Sequence, residues 1–304
     1  MGSPMLTVAA LYHFTRFSDP AALRHGLMQI CAAAGVRGSL LLAPEGINGT
    51  IAGTRDGIDT AVAAIRALPG CGGLICKESA AQTMPFRRLK VRLKREIVTM
   101  GQPDVDPLAA VGHYVAPQDW NALIAASDVA VIDTRNTYEV AIGTFQGAVD
   151  PQTEAFGDFP AWWQANRDRF AGKRIAMFCT GGIRCEKSTN YLLGQGVAQV
   201  YHLQGGILNY LEHVPQDQSL WQGECFVFDD RVSVGHGLYP GNHALCRACG
   251  RPLTETQRTG PGYEQGVSCA VCVTEYSEED RDRFRMRQRQ MRLAAARGAD
   301  HLDQ

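Results

Sequence analysis

Cys179 ends the apolar run Ile175-Ala176-Met177-Phe178 and opens the segment Thr180-Gly181-Gly182-Ile183-Arg184-Cys185. An apolar run, a cysteine, a short glycine loop and a polar helix start, in that order, put a thiol at the carboxyl end of a buried strand. Ligands of open α/β sheets bind there. Gly181 and Gly182 let the loop curl, so that backbone N–H groups from Thr180 to Arg184 can point at an anion. A helix expected over residues 185–193 adds its positive end, and Arg184 adds a full charge. These surroundings favour thiolate over thiol. The sequence thus predicts a reactive thiolate at Cys179 rather than a buried cysteine that merely finishes a core strand. Cys185 is placed to resolve Cys179 if that sulfur is oxidised.

The count from the cysteine narrows the chemistry. Cysteine-based phosphatases carry arginine six positions after the nucleophile, to clamp a phosphate. Here that position is Cys185, and Arg184 comes at five. The loop resembles that of rhodanese-type domains and closes over a small group, which suits sulfur or oxygen chemistry.

The elements that must hold this loop are readable from periodicity. A buried strand is expected over 129–133, a helix over 118–126 and another over 159–170. The cysteine strand covers 174–179, a third strand 199–203, and a helix 206–212. Strands alternating with helices imply a parallel sheet covered on both faces. Asp133-Thr134-Arg135 through Glu139 follows the first of these strands and falls on the same sheet edge as Cys179. Arg135 could pair a substrate anion or hold Glu139, and the resemblance to rhodanese-type domains implies that this segment braces the catalytic loop. Upstream, strand 6–15, helix 20–34, strands 39–43 and 50–52, helix 56–68 and strand 74–79 give the order of a ferredoxin-like domain. Asp19 is a candidate N-cap, and Asn48-Gly49 reads as the hairpin turn. The expected fold is thus α+β followed by α/β: a ferredoxin-like domain over 5–100, a rhodanese-like domain over 115–215, and a small cysteine-rich region over 216–304 that ends in a charged helix.

Composition sets outer limits. The chain has 304 residues, 45% of them hydrophobic, and a formal net charge of −1. Two or three ordinary cores are affordable, and any nucleic-acid footprint must be local. No apolar run is long enough to span a bilayer, and no secretory signal pattern opens the chain. Met1-Gly2-Ser3-Pro4 is left out of the fold reading. Ten cysteines in such a chain suggest a reducing, cytoplasmic setting, where paired cysteines usually mean metal or catalysis.

Two further segments carry chemistry. Cys246-x-x-Cys249 and Cys269-x-x-Cys272, nineteen residues apart, can bring four thiolates around one zinc ion. Such a closed ligand set is structural rather than catalytic. Phe86-Arg87-Arg88-Leu89-Lys90-Val91-Arg92-Leu93-Lys94-Arg95 alternates cleanly. Leu89, Val91 and Leu93 point one way, and Arg88, Lys90, Arg92 and Lys94 the other, with Arg87 and Arg95 flanking. Cations about 6.6 Å apart on one face could track a phosphate backbone or could guard an edge strand against aggregation. The eight histidines show no metal spacing, and no nucleotide-binding glycine motif follows a strand. Phe228-Asp229-Asp230-Arg231 follows an apolar strand and could close over the site.

Four pieces together, Leu42-Ala43-Pro44-Glu45-Gly46-Ile47-Asn48-Gly49-Thr50, the basic strand, Cys179 to Lys187, and Phe226-Val227-Phe228-Asp229-Asp230-Arg231, resemble the rhodanese-domain-containing tRNA uridine hydroxylases over nearly the whole chain. The resemblance implies conversion of uridine 34 to 5-hydroxyuridine. It implies Cys179 as the active-site residue and O₂ as co-substrate with no catalytic metal or flavin. The tRNA anticodon arm is then the partner, an unnamed electron donor serves the reaction, and the basic stripe gains a reason to touch phosphate. Two other classes stay open: a sulfurtransferase carrying a persulfide on Cys179, and a non-catalytic tRNA-binding module on a rhodanese scaffold.

Overall fold

The computed structural model describes residues 5–297. The leading Met1-Gly2-Ser3-Pro4 and the last seven residues of the cysteine-rich region lie outside the described residues.

The first half builds one sheet. The elements run β1 (Leu6–Phe14), α1 (Pro20–Ala33), β2 (Arg37–Ala43), β3 (Gly46–Gly53), α2 (Arg55–Arg66), β4 (Ile75–Ala81) and β5 (Leu89–Leu93). The sheet order is β4-β1-β3-β2-β5, the ferredoxin-like order with one added edge strand parallel to β2. Asp19 caps α1 as expected, accepting from the N–H groups of Ala21 and Ala22. Helix α2 buries Ile58, Ala61, Val62 and Ile65, the 3.6-residue stripe of a helix lying on a sheet. These side chains pack on Leu40, Leu42, Ile47 and Ile51.

Asn48-Gly49 is not the turn. The β2–β3 hairpin closes at Pro44-Glu45, with Ala43 paired to Gly46. Asn48 and Gly49 lie inside central strand β3, opposite Leu41 and Leu40. The glycine is needed there for another reason. A Cβ at Gly49 would stand 2.1 Å from the carbonyl oxygen of Ser39, so a close backbone approach, not a positive φ, demands it.

The second half runs β6 (His113–Val115), α3 (Pro117–Ile124), β7 (Val129–Asp133), α4 (Thr137–Val140), β8 (Gly143–Phe145), α5 (Phe159–Asn166), β9 (Arg174–Phe178), α6 (Ile183–Gly194), β10 (Val200–Leu203) and α7 (Gly206–His213). Strands β6-β10-β9-β7 form a parallel sheet. Period-two alternation sorts β9 between its two faces. Ala176 and Phe178 join Trp120, Ile207 and Tyr210 on one side. Ile175, Met177 and then Cys179 join Trp163 and Leu192 on the other. Strand β11 (Trp221–Gly223) pairs with β8, and β12 (Cys225–Phe226) with β13 (Ser233–Val234). Beyond them come β14 (Ala244–Leu245), β15 (Pro252–Leu253) and α8 (Glu278–Ala296). No helix among the described residues is long and apolar enough to cross a membrane.

Candidate active site

The loop after β9 is an anion cradle. Gly182 takes φ +102°, open to glycine and strained for other residues, and its N–H donates to Cys179 Sγ at 3.1 Å. Helix α6 starts at Ile183, two residues earlier than periodicity suggested, so Arg184 and Cys185 lie in its first turn. The loop carbonyls are turned away from the sulfur. Ile207 N–H donates to the Cys179 carbonyl and Leu208 N–H to that of Thr180. The start of α7 comes so close that a Cβ on Gly206 would sit 2.5 Å from the Cys179 carbonyl oxygen. Burial pushes the Cys179 thiol up. The hydrogen bonds from Cys185, the charge of Arg184 and the Gly182 N–H outweigh burial and bring its pKa down to about 6. Cys185 moves the opposite way, raised by burial and by the neighbouring sulfur charge. Its own sulfur lies 3.8 Å from Thr134 Oγ1.

Arg184 is not a free cation. It grips Glu139 through both carboxylate oxygens, at 2.6 and 2.8 Å, and Thr180 Oγ1 donates to the same carboxylate at 3.2 Å. Burial opposes the charge on Glu139, yet Arg184 holds its carboxyl below the usual range. The arginine therefore reaches the sulfur as part of a buried, fixed pair, and Thr180 ties that pair to the loop. Arg135 does not face a ligand. It is fully buried, paired with Asp133 at 2.6 Å, and donates to the carbonyls of Glu139 and Gly143. It braces the Glu139 backbone rather than the Glu139 carboxylate.

Cys179, Thr180, Gly181, Ile183 and Arg184 line a cavity of about 1150 Å³ whose other wall belongs to the first sheet. Cys179 has no exposed surface, so its sulfur forms the floor beneath the loop. Tyr12 of β1 overhangs that floor. Its hydroxyl donates to Glu186 Oε1 at 2.9 Å, and Tyr114 donates to the same carboxylate from the far side. Burial raises the Glu186 pKa, the two tyrosines oppose that, and the Cys179 charge adds to it. Lys187, buried beside it, pairs with Glu45 at 2.8 Å and Glu96 at 2.6 Å. Glu45 also accepts from Ile97 N–H, so the Pro44-Glu45-Gly46 turn works as a clasp between the two sheets. Sequence reasoning missed Tyr12, Tyr114, Glu186 and this clasp. The adjacent Glu186-Lys187 pair, in a helix that is buried nearly all round, is the one local signal for them. Phe228, Asp229 and Arg231 line the same cavity, as the position after an apolar strand suggested.

The basic segment is shorter as a strand than its alternation. Only residues 89–93 pair, Val91 is buried, and Leu93 faces outward, 44% exposed. Arg88, Arg92, Lys94 and Arg95 are exposed, with Arg87 and Lys90 half-buried. Lys90 and Arg88 reach a second recess, and Lys94 lines the Cys179 cavity. The arginines of α8 are largely tied to acids, Arg285 to Glu264, Glu278 and Asp282 among them.

Cys246, Cys249, Cys269 and Cys272 converge, with all four sulfurs within 4.8 Å of one another. Sulfur pairs stand at 3.6 and 3.8 Å. A tetrahedron with zinc–sulfur bonds of about 2.3 Å has edges of about 3.8 Å. The cluster therefore fits a metal ion held entirely by protein.

Comparison with known proteins agrees with this architecture. A family model described as UPF0176 acylphosphatase like domain matches residues 6–97, and a rhodanese-like domain model matches residues 116–213. A Ruegeria pomeroyi protein named tRNA uridine(34) hydroxylase is 67% identical over 298 residues, covering 98% of this chain and 99% of that protein. Its namesake from Roseobacter denitrificans is 64% identical, covering 96% and 99%. The one from Brucella ovis is 57% identical, covering 99% and 98%. With identity of this order running through both sheets and the cysteine-rich end, the chain belongs to the tRNA uridine(34) hydroxylase family.

Proposed function

We propose that this chain hydroxylates uridine 34 of tRNA at C5, giving 5-hydroxyuridine in an O₂-dependent reaction centred on Cys179. The observation that carries the reading is the anion cradle at Cys179, opening into a cavity shared by two sheets, in a chain of this family. Uracil C5 resists oxidation as it stands. Thiolate addition at C6 would place negative charge on C5 and the O4 carbonyl, and that enolate can react with oxygen. One oxygen atom stays on C5 and the other leaves as water; loss of the C5 proton then expels the Cys179 thiolate from C6 and restores the ring double bond. Two electrons and two protons come from a separate reductant. Backbone N–H groups from Thr180 to Arg184 steady the anions, and the Arg184–Glu139 pair fixes the loop that presents them. A loop uridine can be turned into the cavity at small unstacking cost.

The burial of Cys179 favours a second form of the same chemistry. A persulfide on Cys179 would carry its outer sulfur about 2.05 Å further out, into the cavity. A sulfurtransferase would use that same group, and thiosulfate-to-cyanide transfer reads it directly. The anticodon arm is the proposed macromolecular partner, and the cytoplasm, where tRNA is modified, is the proposed location. Arg87, Arg88, Lys90, Arg92, Lys94 and Arg95 are proposed to contact its phosphates. Cys246, Cys249, Cys269 and Cys272 are proposed to hold a structural zinc. The working division of the chain is 5–100, 115–215 and 216–304.

Nucleoside mass spectrometry on tRNA tests the reading. In cells lacking this activity, the intact chain should restore 5-hydroxyuridine or its derivatives, and Cys179→Ala should not. If neither form changes the signal while purified protein moves sulfur from thiosulfate, the chain is a sulfurtransferase.

A further inference from the structure

Beside the Cys179 cavity lies a recess of about 660 Å³. Arg88 and Lys90 form one wall, and Arg251 and Tyr276 of the four-cysteine region form the other. The two hollows adjoin. Ser39, Phe86, Val227, Phe228 and Asp229 line both. Phe228 therefore stands on the lip between them, and it is 59% exposed.

That ring is held, not loose. Phe228 packs edge-to-face on Phe226 at 5.2 Å, and Phe226 packs edge-to-face on Tyr138 at 5.2 Å. Arg231 grips Asp229 at 2.6 Å and donates to Ser79 Oγ at 2.7 Å. Asp230 N–H donates to the Pro85 carbonyl at 3.0 Å. The segment is a platform anchored to the first sheet. An exposed aromatic face on a rigid mount is the form that base stacking uses.

The charge beside it is unbalanced. Asp229 is matched by Arg231, Glu275 by Arg251 at 2.7 Å, and Asp230 by Arg247 at 3.5 Å. Of the lining acids, that leaves Glu154 against three lining cations, Arg87, Arg88 and Lys90. Partial burial and the neighbouring Arg88 and Arg92 push the Lys90 ammonium below its usual pKa, a cost that a bound anion would relieve.

We infer that this recess receives a nucleotide next to uridine 34 in the same RNA strand, its base stacked on Phe228 and its phosphate against Arg88 and Lys90, with the four-cysteine region as the far wall. The inference rests on the proposed uridine 34 activity and adds where the neighbouring nucleotide goes. It gives Phe228 a task distinct from the chemistry at Cys179, and it gives the cysteine-rich region a share in the RNA path.

The test uses the full-length protein and anticodon stem-loop RNAs that are intact or abasic at position 33 or 35. Affinity is read by fluorescence anisotropy. The intact RNA should bind about tenfold tighter than one of the two abasic RNAs, the size of one base–aromatic stack. Phe228→Ala should bind the intact RNA about tenfold more weakly and lose the distinction between intact and abasic, while Phe228→Trp should restore both. The inference is overturned if wild type binds both abasic RNAs as well as the intact one, or if Phe228→Ala keeps the full abasic penalty. Hydroxylation of uridine 34 in the intact stem-loop is measured alongside, in air with a dithiol supplied as the two-electron reductant. Hydroxylation without an abasic penalty sinks this inference alone, whereas neither binding nor hydroxylation sinks the activity as well.

Discussion

The thiolate at Cys179 exists because fixed donors overcome burial. Desolvation alone would leave this sulfur protonated at neutral pH. Its folded pKa of about 6 means that the reactive form accumulates as pH rises through that value and is lost below it. Capture of Cys179 by a small alkylating reagent should therefore show a midpoint near pH 6 and a plateau above about pH 7.5. Arg184→Lys keeps the charge but loses the two-pronged grip on Glu139, so the midpoint should move up toward the ordinary thiol range. An unchanged profile in that variant, read by mass spectrometry of the labelled peptide, would show that backbone donors suffice without Arg184. At this scale the sequence was informative where chemistry is local. Cys179, its glycines and Arg184 lie within six residues, and their spacing predicts their convergence. Tyr12 and Glu186 are 174 positions apart, and no spacing rule links them. The role of Arg135 was legible in kind but not in detail, because its choice of Asp133 and two carbonyls depends on how α4 and β8 fold back.

Elements bring those residues together, and one buried helix does most of it. Helix α6 presents Arg184 to Glu139, Glu186 to two tyrosines, and Lys187 to the first sheet. Removing the Lys187 ammonium would strand two carboxylates in a site that is three-quarters covered or more. Lys187→Met should lower unfolding stability by about 3 kcal/mol at neutral pH, read from urea titrations. The pH dependence carries a sign. Burial raises the Glu96 carboxyl, and Lys187 with backbone donors more than offsets it, so the folded pKa is lowered. This contribution is present above the ordinary carboxylate pKa and fades as pH falls through the folded value. The gap between wild type and Lys187→Met should thus narrow below about pH 4, and a constant gap would count against the clasp. Most of the longer elements were readable within one or two residues, because a single period dominates each, whereas the short β6, α4 and β8 carry too few residues to show one. Asn48-Gly49 misled for a physical reason. A dipeptide that suits a tight turn also suits a strand whose neighbour comes within contact of its backbone, and only the register distinguishes them.

Across the molecule, cations of β5 and of the residues flanking it run from the Cys179 cavity to the second recess. Anion binding along such a stripe is a counterion-release effect, so it belongs to the whole surface rather than to one residue. Arg88→Glu with Arg92→Glu should weaken tRNA binding and flatten its dependence on salt, reducing the log–log slope by about one to two. Equal slopes for variant and wild type would leave β5 as a guarded sheet edge. Neither recess could be seen in the sequence, since each takes its walls from regions far apart in the chain. The Lys187 clasp also has a consequence in time. Glu45 and Glu96 belong to the portion made first, and Lys187 follows Glu96 by 91 positions. At a synthesis rate of about 5–20 residues per second, Glu96 waits roughly five to twenty seconds, and Glu45 roughly seven to thirty, before their cation is made. During that interval the emerging first sheet has no Cys179 floor beneath Tyr12. The first sheet is thus half a chamber until the second sheet is made and docks on it.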